Sequence, residues 1–365
     1  MFGKFLQKLA IATSVLLMAT SAHATTPVWW NANPNISYGN TTIDVTDKGA
    51  LGDGVHDDTA AIQAAIDALP LTGGTVYIPS GKYMIDALVS INMRSHVRML
   101  MDSTTELHAI TNGVTRYHII KVWGVNNVEI VGGNVVGERD THTGTTGEWG
   151  YGINISGSED VEILNVHISN CWGDGLLIGG LGSGAILQRS NHVTLNNIVT
   201  DNNRRQGLTL APSHHVYIYN STFSHSNGTA PQAGIDMEPQ TQGNVDTIRI
   251  ENSHFISNTG NGIEIQANVS NLLVLNSEFR YNYGFGILSV TGGPYTYTTS
   301  IFNQNGWAGI GVNGNSHDVL VDGNQITQNS TRYISPTAGG HANNRDINVS
   351  TNATNITLTN DTLTP

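Results

Sequence analysis

The amino-acid sequence predicts an all-β chain, a single-stranded right-handed parallel β-helix with a short N-terminal capping α-helix. Three observations carry that prediction. The first is a repeat. A polar residue, a Val-x-Ile-like strand, an Asn beside a small residue, a few polar residues and Gly-Ile-x-Ile recur at residues 160–178, 192–210, 215–237, 247–265 and 271–287. Gly152, Gly175, Gly207, Gly234, Gly262, Gly286 and Gly309 open the second strand of each copy, spaced by 23, 32, 27, 28, 24 and 23 residues. A period of this length belongs to stacked coils. The second is alternation: the positions one and three after the glycine are apolar, as in Leu176 and Ile178, Leu208 and Leu210, or Ile263 and Ile265, while the position between varies. Strict alternation marks strands with one buried face. The third is that no helical pattern separates these strands, so they satisfy one another by parallel stacking.

The elements follow in chain order. Residues 1–24 place Lys4 and Lys8 before an apolar run at 9–19 and end in Ser21-Ala22-His23-Ala24, which reads as a cleavable signal for export with cleavage after Ala24. Residues 25–42 form an N-terminal extension and 43–365 the β-helix domain. Asp57-Asp58-Thr59 precede residues 60–69, where Ile62, Ile66 and Leu69 fall at helical spacing, and Asp58 or Thr59 is placed to cap the first turn. This helix would cover the open edge that a solenoid otherwise presents. Gly73-Gly74 ends it, and residues 75–79 give the first coil's strand. Asn165, Asn196, Asn220, Asn252 and Asn276 follow the first strand of successive copies, where a tight turn favours a residue that tolerates left-handed backbone. Residues 343–365 continue weak strand repeats without a recognisable cap.

Composition narrows the partners. Charged residues make up 12% of the chain, and the formal net charge of −12 becomes −14 once Lys4 and Lys8 leave with the signal. An acidic chain of this kind disfavours nucleic acid and anionic membranes. No later segment is apolar for long enough to span a bilayer. Cys171 is the only cysteine, so the chain holds together without an internal disulfide, and Cys171 reads as a buried packing residue.

The stretch from Asp44 through Asp53-Gly54, with Asp57-Asp58-Thr59, Ala61-Ile62-Gln63 and residues 73–83, resembles the opening of pectate-lyase-superfamily proteins. That pectin-lyase-like group includes polygalacturonase- and rhamnogalacturonase-like hydrolases, tailspike depolymerases and mannuronan C5-epimerases. With the repeat, the resemblance covers about residues 43–325. It implies the fold and a polysaccharide or oligosaccharide partner, but it does not specify the reaction, because Asp53, Asp57 and Asp58 read as turn and cap residues.

Candidate chemistry comes from the register. Residues at one place in successive coils lie about 4.8 Å apart, and i and i+2 on a strand share a face about 6.5–7 Å apart. Asp236 and Glu238 therefore flank one strand on its outer face, with Glu264 directly over Asp236. Like charges this close raise at least one pKa, which is what a carboxylate acid/base pair requires. A calcium site built from the same oxygens is the other reading. Asp174 lies just before Gly175, two coils upstream, and Arg204-Arg205-Gln206 precede Gly207 between them; Arg205 and Arg204 are candidates for holding a sugar carboxylate or hydroxyl. Residues 137–149 form an inserted loop that brings His142, Glu148 and Trp149 toward the same side. Trp149 and Trp172 are candidates for stacking on sugar rings. A second loop, residues 228–233, lies before Asp236. His192, His214 and His215 are expected at solvent-facing turns.

The resemblance carries over only in part. Polygalacturonase-like enzymes have Asn-Thr-Asp, Asp-Asp and Gly-His-Gly in successive coils; Gly173-Asp174-Gly175 resembles the first, but the next coils offer Arg205-Gln206 and Ala233-Gly234. The epimerases place Asp-Pro-His where this chain has Asp236-Met237-Glu238, so the His is missing. Acids standing where those enzymes want bases favour a glycoside hydrolase. A polysaccharide lyase or uronate C5-epimerase, and a non-enzymatic carbohydrate-binding surface protein, remain the alternatives.

Overall fold

The computed structural model describes residues 36–239, 243–333 and 346–364. The expected signal and most of the N-terminal extension lie outside the described residues. The coils stack into three parallel sheets, and all but the first and last described coils give one strand to each. The first sheet has twelve strands, from Thr42–Asp44 to Thr354–Thr359, and the second has twelve, from Asp53–Asp57 to Thr362–Thr364. The third has ten, from Ile91–Asn92 to Ile347–Val349. Within every sheet the strands follow chain order, so the chain advances one coil at a time.

The alternation read from the sequence is the burial pattern. Val193, Leu195, Leu208, Leu210, Ile235 and Met237 are fully buried, as are their equivalents in neighbouring coils, and together they fill one continuous core. The opening glycines have a steric reason: a Cβ added at Gly207 would stand 2.6 Å from the Gly234 carbonyl oxygen, and one at Gly234 2.6 Å from that of Gly262. Coil stacks too closely on coil at this point for any side chain.

Turns between the first and second sheets put Asn165, Asn220, Asn252 and Asn276 in the left-handed region, with φ of 57°, 53°, 49° and 48°. In the remaining coil the turn residue is Asn197 (φ 51°), one place later than the sequence register gives, and its amide donates to Asn165 Oδ1 at 2.7 Å. Two interior ladders were not legible in advance. Phe223, Phe255, Phe279 and Phe302 stack with ring centroids 5.2, 4.6 and 4.7 Å apart. Beside them Asn258, Asn282, Asn305 and Asn329 are buried; Asn282 Nδ2, for example, donates to Phe255 O at 2.9 Å and to Asn305 Oδ1 at 3.0 Å. Each amide spans two coils, which satisfies groups whose burial would otherwise cost about 1–3 kcal/mol each.

The cap is the helix Thr59–Asp67, which buries Ile62 and Ile66. Its capping differs from expectation. Asp58 makes no side-chain bond to the helix; it accepts instead from Leu51 N at 2.7 Å and Gly52 N at 3.2 Å, while Asp57 accepts from Thr59 N at 2.9 Å. The helix also stops before Gly73-Gly74, and Gly74 already belongs to the strand Gly74–Ile78. At the other end the last strands leave Leu358 and Leu363 about half exposed. Cys171 is fully buried and unpaired, and burial pushes its thiol up. His192, His214 and His215 are half-buried rather than solvent-facing: stacked coils bring the His192 and His215 rings within 5.1 Å, and the neighbouring His214 ring lies 4.8 Å from that of His215.

Candidate polysaccharide-binding groove

Parallel register on the third sheet lines up Lys121, Asn154, Leu177, Thr209, Asp236, Glu264 and Leu288 in one outward row. Asp236 and Glu264 are direct partners, as the glycine register requires. A second outward row runs from Trp123 through Ser156 and Gly179. It continues where Ala211 N bonds Ile178 O at 2.8 Å and Glu238 N bonds Leu210 O at 2.9 Å.

Arg205 organises the acids. Its Nη2 donates to Glu238 Oε1 at 2.7 Å, its Nη1 lies 3.3 Å from Asp174 Oδ2, and its Nε is 3.6 Å from Glu148 Oε2. Burial alone would lower the guanidinium pKa, but the Asp174 and Glu238 charges outweigh it and raise it. Asp174 is fully buried and takes the Thr209 hydroxyl at 2.7 Å; that hydroxyl in turn accepts from Gln206 Nε2. Burial pushes the Asp174 carboxyl up to about 7, against the pull of Arg205 and Thr209. Asp236 is 1% exposed, and its Oδ1 has no partner among the described residues. Burial, then the Glu238 and Glu264 charges, drive it well above the ordinary carboxylate range. Glu264 is raised by burial too, although Asn261 and Gln266 donate to it at 2.8 and 2.7 Å. Burial thus raises Asp174, Asp236 and Glu264 in a low-dielectric patch that has Arg205 as the cation among them.

The open space lies upstream of where the sequence centres it. A groove of about 410 Å³ runs over the coils of Trp123, Tyr151, Leu177 and Thr209 and ends at Glu238. Among the described residues Glu238 is its only carboxylate; Asp174 and Asp236 sit beneath the surface, and Glu264 lies one coil beyond. The register fixes which residues face outward, but the connections that overhang the sheet decide where a cleft opens. Arg205 and Trp149 line it; Glu148 does not, although its Oε2 is 3.6 Å from Arg205 Nε, and Gln206 is fully buried rather than in the groove.

His142, Trp172 and Arg204 do not line it, which corrects their assignment as groove residues. The His142 ring stacks on Trp172 at 3.8 Å, and Arg204 covers the indole at 3.8 Å. Arg204 Nη1 also donates to Gly147 O at 2.8 Å, and the His142 side chain is sealed against Glu138, 3.0 Å away. Aromatic and cation contacts of this kind fasten the 137–149 loop to the coil behind it.

Sequence reasoning missed the groove's upstream half. The strand Arg116–Trp123 supplies Arg116, His118 and Trp123, and Tyr151 comes from the strand Trp149–Ser156. Tyr151 stacks on His118 at 5.4 Å, and His118 Nδ1 is 3.3 Å from Asn154 Nδ2. Burial, with Lys121 and Arg116 nearby, lowers His118 to about 3, so the imidazole is neutral. Arg116 lies over Trp149 and Lys121 over Trp123. Alternation of Arg116 and His118, and then of Lys121 and Trp123, was the available signal, but this strand has no opening glycine to flag it.

The calcium reading can be tested on the donors present. Among the described residues no three His, Cys, Asp or Glu side chains converge to hold a metal ion, and the Arg205 guanidinium already occupies the space between Asp174 and Glu238. The donor set does not fit a cation site. No helix among the described residues is long and apolar enough to cross a membrane.

Comparison with known proteins agrees with this architecture. The chain is 29% identical over 330 residues to the uncharacterised protein YclG of Bacillus subtilis, covering 79% of this chain and 55% of that protein. It is 26% identical over 349 residues to plasmin and fibronectin-binding protein A of Streptococcus pneumoniae, covering 85% and 44%. The chain thus spans about half the length of these curated relatives. Among solved structures, the A-module of the Azotobacter vinelandii mannuronan C-5 epimerase AlgE6 aligns with a TM-score of 0.67 at 20% identity, covering 88% of this chain and 99% of the module. A model of right-handed β-helix regions matches residues 183–363, and the model "rhamnogalacturonase A/epimerase, pectate lyase-like" matches residues 42–264. With more than half its length matched, the chain belongs to the rhamnogalacturonase A/epimerase, pectate lyase-like family of right-handed parallel β-helix proteins.

Proposed function

We propose that the protein is an exported glycoside hydrolase that acts on a polysaccharide laid in the third-sheet groove. The observation that carries this reading is a pair of carboxyls two residues apart, Glu238 facing the groove beside Arg205 and Asp236 buried next to it. Glu238 faces the groove, and its Oε1 accepts from Arg205 Nη2 at 2.7 Å. Asp236, two residues away, is driven toward the neutral acid. In the proposed step Glu238 takes a proton from water, the water oxygen bonds to the anomeric carbon, the glycosidic C–O bond breaks, and Asp236 gives its proton to the leaving oxygen. Asp236 is 1% exposed, so the step requires its carboxyl to become accessible beside Glu238 when a glycan binds. Asp174 and Thr209 position Arg205 from below. Arg116, in the groove lining over Trp149, supplies positive charge for an acidic sugar, which offsets the acidic net charge of the chain.

A second reading rests on one observation of its own. The neutral His118, stacked on Tyr151 beside Arg116, has the make-up of a pair that moves a proton at C5 of a uronate, as a lyase or epimerase requires. A screen of purified polysaccharides, reading new reducing ends and ultraviolet absorbance together, separates the two: hydrolysis gives reducing ends without absorbance, elimination gives both, and epimerisation gives neither but changes the uronate spectrum. On a responsive glycan Asp236→Asn and Glu238→Gln should each lower turnover about 10²–10⁴-fold. Full activity in both variants would refute the hydrolytic assignment. Binding without turnover on every glycan would favour a carbohydrate-binding surface protein; similarity to a plasmin- and fibronectin-binding protein supports a binding role without naming carbohydrate as the ligand.

A further inference from the structure

The end of the solenoid far from the cap helix is open. There the strands Thr354–Thr359, Thr362–Thr364 and Ile347–Val349 close the three sheets, and among the described residues no strand lies on their outer edges. Positions that fill the core elsewhere are uncovered here. Ile356, Leu358 and Leu363 pair with Val319, Val321 and Ile326, which are at most 1% exposed. Yet Leu358 is 47% exposed and Leu363 55%, because nothing described is stacked on them.

This edge lacks the side chains that keep open strands apart. Residues 346–364 contain no Lys, Arg, His or Pro. The two acids in that stretch are turned to the coil below: Asp346 accepts from Asn329 Nδ2 at 3.0 Å and Asp361 from Asn324 Nδ2 at 2.9 Å. One coil down, Asp318 is bonded by Asn355, and Asp322 accepts from Thr359 Oγ1 at 2.9 Å and Asn360 Nδ2 at 2.8 Å. The rim therefore presents threonine and asparagine, on a chain whose formal net charge is −12.

Such an edge is complementary to itself. A half-turn about an axis through the middle of Thr354–Thr359 sets the strand antiparallel to its own copy, so each unpaired N–H meets an unpaired C=O. Asn355 has a φ of 54°, as Asp318 below it has 57°, so the regular edge runs from Ile356 to Thr359. The pleat then limits the register, because residues directly opposite must share a face. Centring the axis on Thr357 places Ile356 against the partner's Leu358, both facing the core, and Thr357 against its own counterpart outside.

We propose that this open end is a docking surface for a second copy of the chain, paired antiparallel through Thr354–Thr359 about a two-fold axis at Thr357. Two observations select a second copy over an unlike partner. The strand edge and its apolar residues recur in matching places after the half-turn, and the neutral rim lets two acidic chains meet without opposed charges. Pairing would bury Leu358 and join the two cores. The surface lies away from the groove, so the inference stands apart from what the groove binds.

The test is sedimentation velocity of the full chain over a series of loading concentrations. The mass should rise from one chain to two and stop there. Thr357 is exposed, so Thr357→Lys should leave the fold intact by circular dichroism. It opposes two ammonium groups at the axis and should weaken the dimer about tenfold or more. Mixing it with Thr357→Glu should restore association. Thr357→Cys should yield a disulfide-linked dimer on oxidation, since opposed Cα atoms in an antiparallel pair lie about 4.5–5.5 Å apart, within disulfide reach. Cys171 is fully buried and does not compete. A single chain at every loading, a dimer indifferent to Thr357→Lys, a cysteine variant that does not cross-link, or a mass that climbs past two chains would overturn the proposal.

Discussion

Replacing Asp174 by Asn isolates the electrostatic strain stored beneath the groove. Asp174 is fully buried, holds the Thr209 hydroxyl at 2.7 Å and lies 3.3 Å from Arg205, yet burial still carries its carboxyl from the usual 3.8 to about 7. A folded-state pKa above the unfolded one means that the native protein binds this proton more tightly. The stability it contributes is therefore full below about pH 4 and is lost as pH rises through about 7. At 1.36 kcal/mol per pH unit the loss amounts to about 4 kcal/mol. Asparagine keeps a group for Thr209 and does not titrate. Urea unfolding followed by tryptophan fluorescence from about pH 4 to about pH 8 should give near-equal stabilities at the acid end, within the ~1 kcal/mol of one altered hydrogen bond. Toward the alkaline end Asp174→Asn should gain relative to the native chain by about 4 kcal/mol. Curves that run parallel across the range, or a native chain that gains on the variant as pH rises, would refute the account of a raised, buried carboxyl.

Three further outcomes follow from the packing. Arg204→Ala removes the cation from the Trp172 face and the donor to Gly147 O, and should cost about 1–2 kcal/mol in thermal unfolding. Arg204→Lys should recover little of that loss, since an ammonium lacks the planar stack. Phe279→Ala opens the middle of the four-ring stack and should cost about 3–5 kcal/mol by urea denaturation, the usual range for a buried Phe. Asn282→Ala removes the side-chain donor to Phe255 O and the acceptor for Asn258 N and Nδ2, while Asn305 Oδ1 keeps the Asn282 backbone N–H, and should cost about 1–3 kcal/mol in the same assay.

The fold was legible because it is periodic. Glycines at coil-spaced intervals, with apolar residues one and three places on, report close backbone contact and one buried face, and both are local consequences of stacking. Asn197 shows where periodicity blurs: with asparagines at both 196 and 197, only the backbone tells which adopts the left-handed turn. The phenylalanine and asparagine ladders escaped notice for a different reason. Each rung is a single residue per coil in the second sheet or the turn after it, at spacings of about the repeat itself, so the signal appears only once the coils are superposed.

The site was legible where strands carry it and illegible where turns do. Alternation gave the register that pairs Asp236 with Glu264, though not the burial of Asp236, and it has no purchase on residues 204 and 205, which precede the strand. Adjacent in the chain, these arginines serve opposite tasks: Arg204 lies on Trp172 and holds the backbone at Gly147, while Arg205 reaches under the groove to Asp174 and Glu238. Glu148, the residue after Gly147, returns to Arg205 at 3.6 Å. The loop's anchor and the acids' counter-ion are thus one residue apart on one turn. A shift of that turn changes the wall of the groove and the charge balance beneath it together. A substitution at Arg204, though outside the groove, is therefore expected to be felt at Glu238 through Glu148 and Arg205.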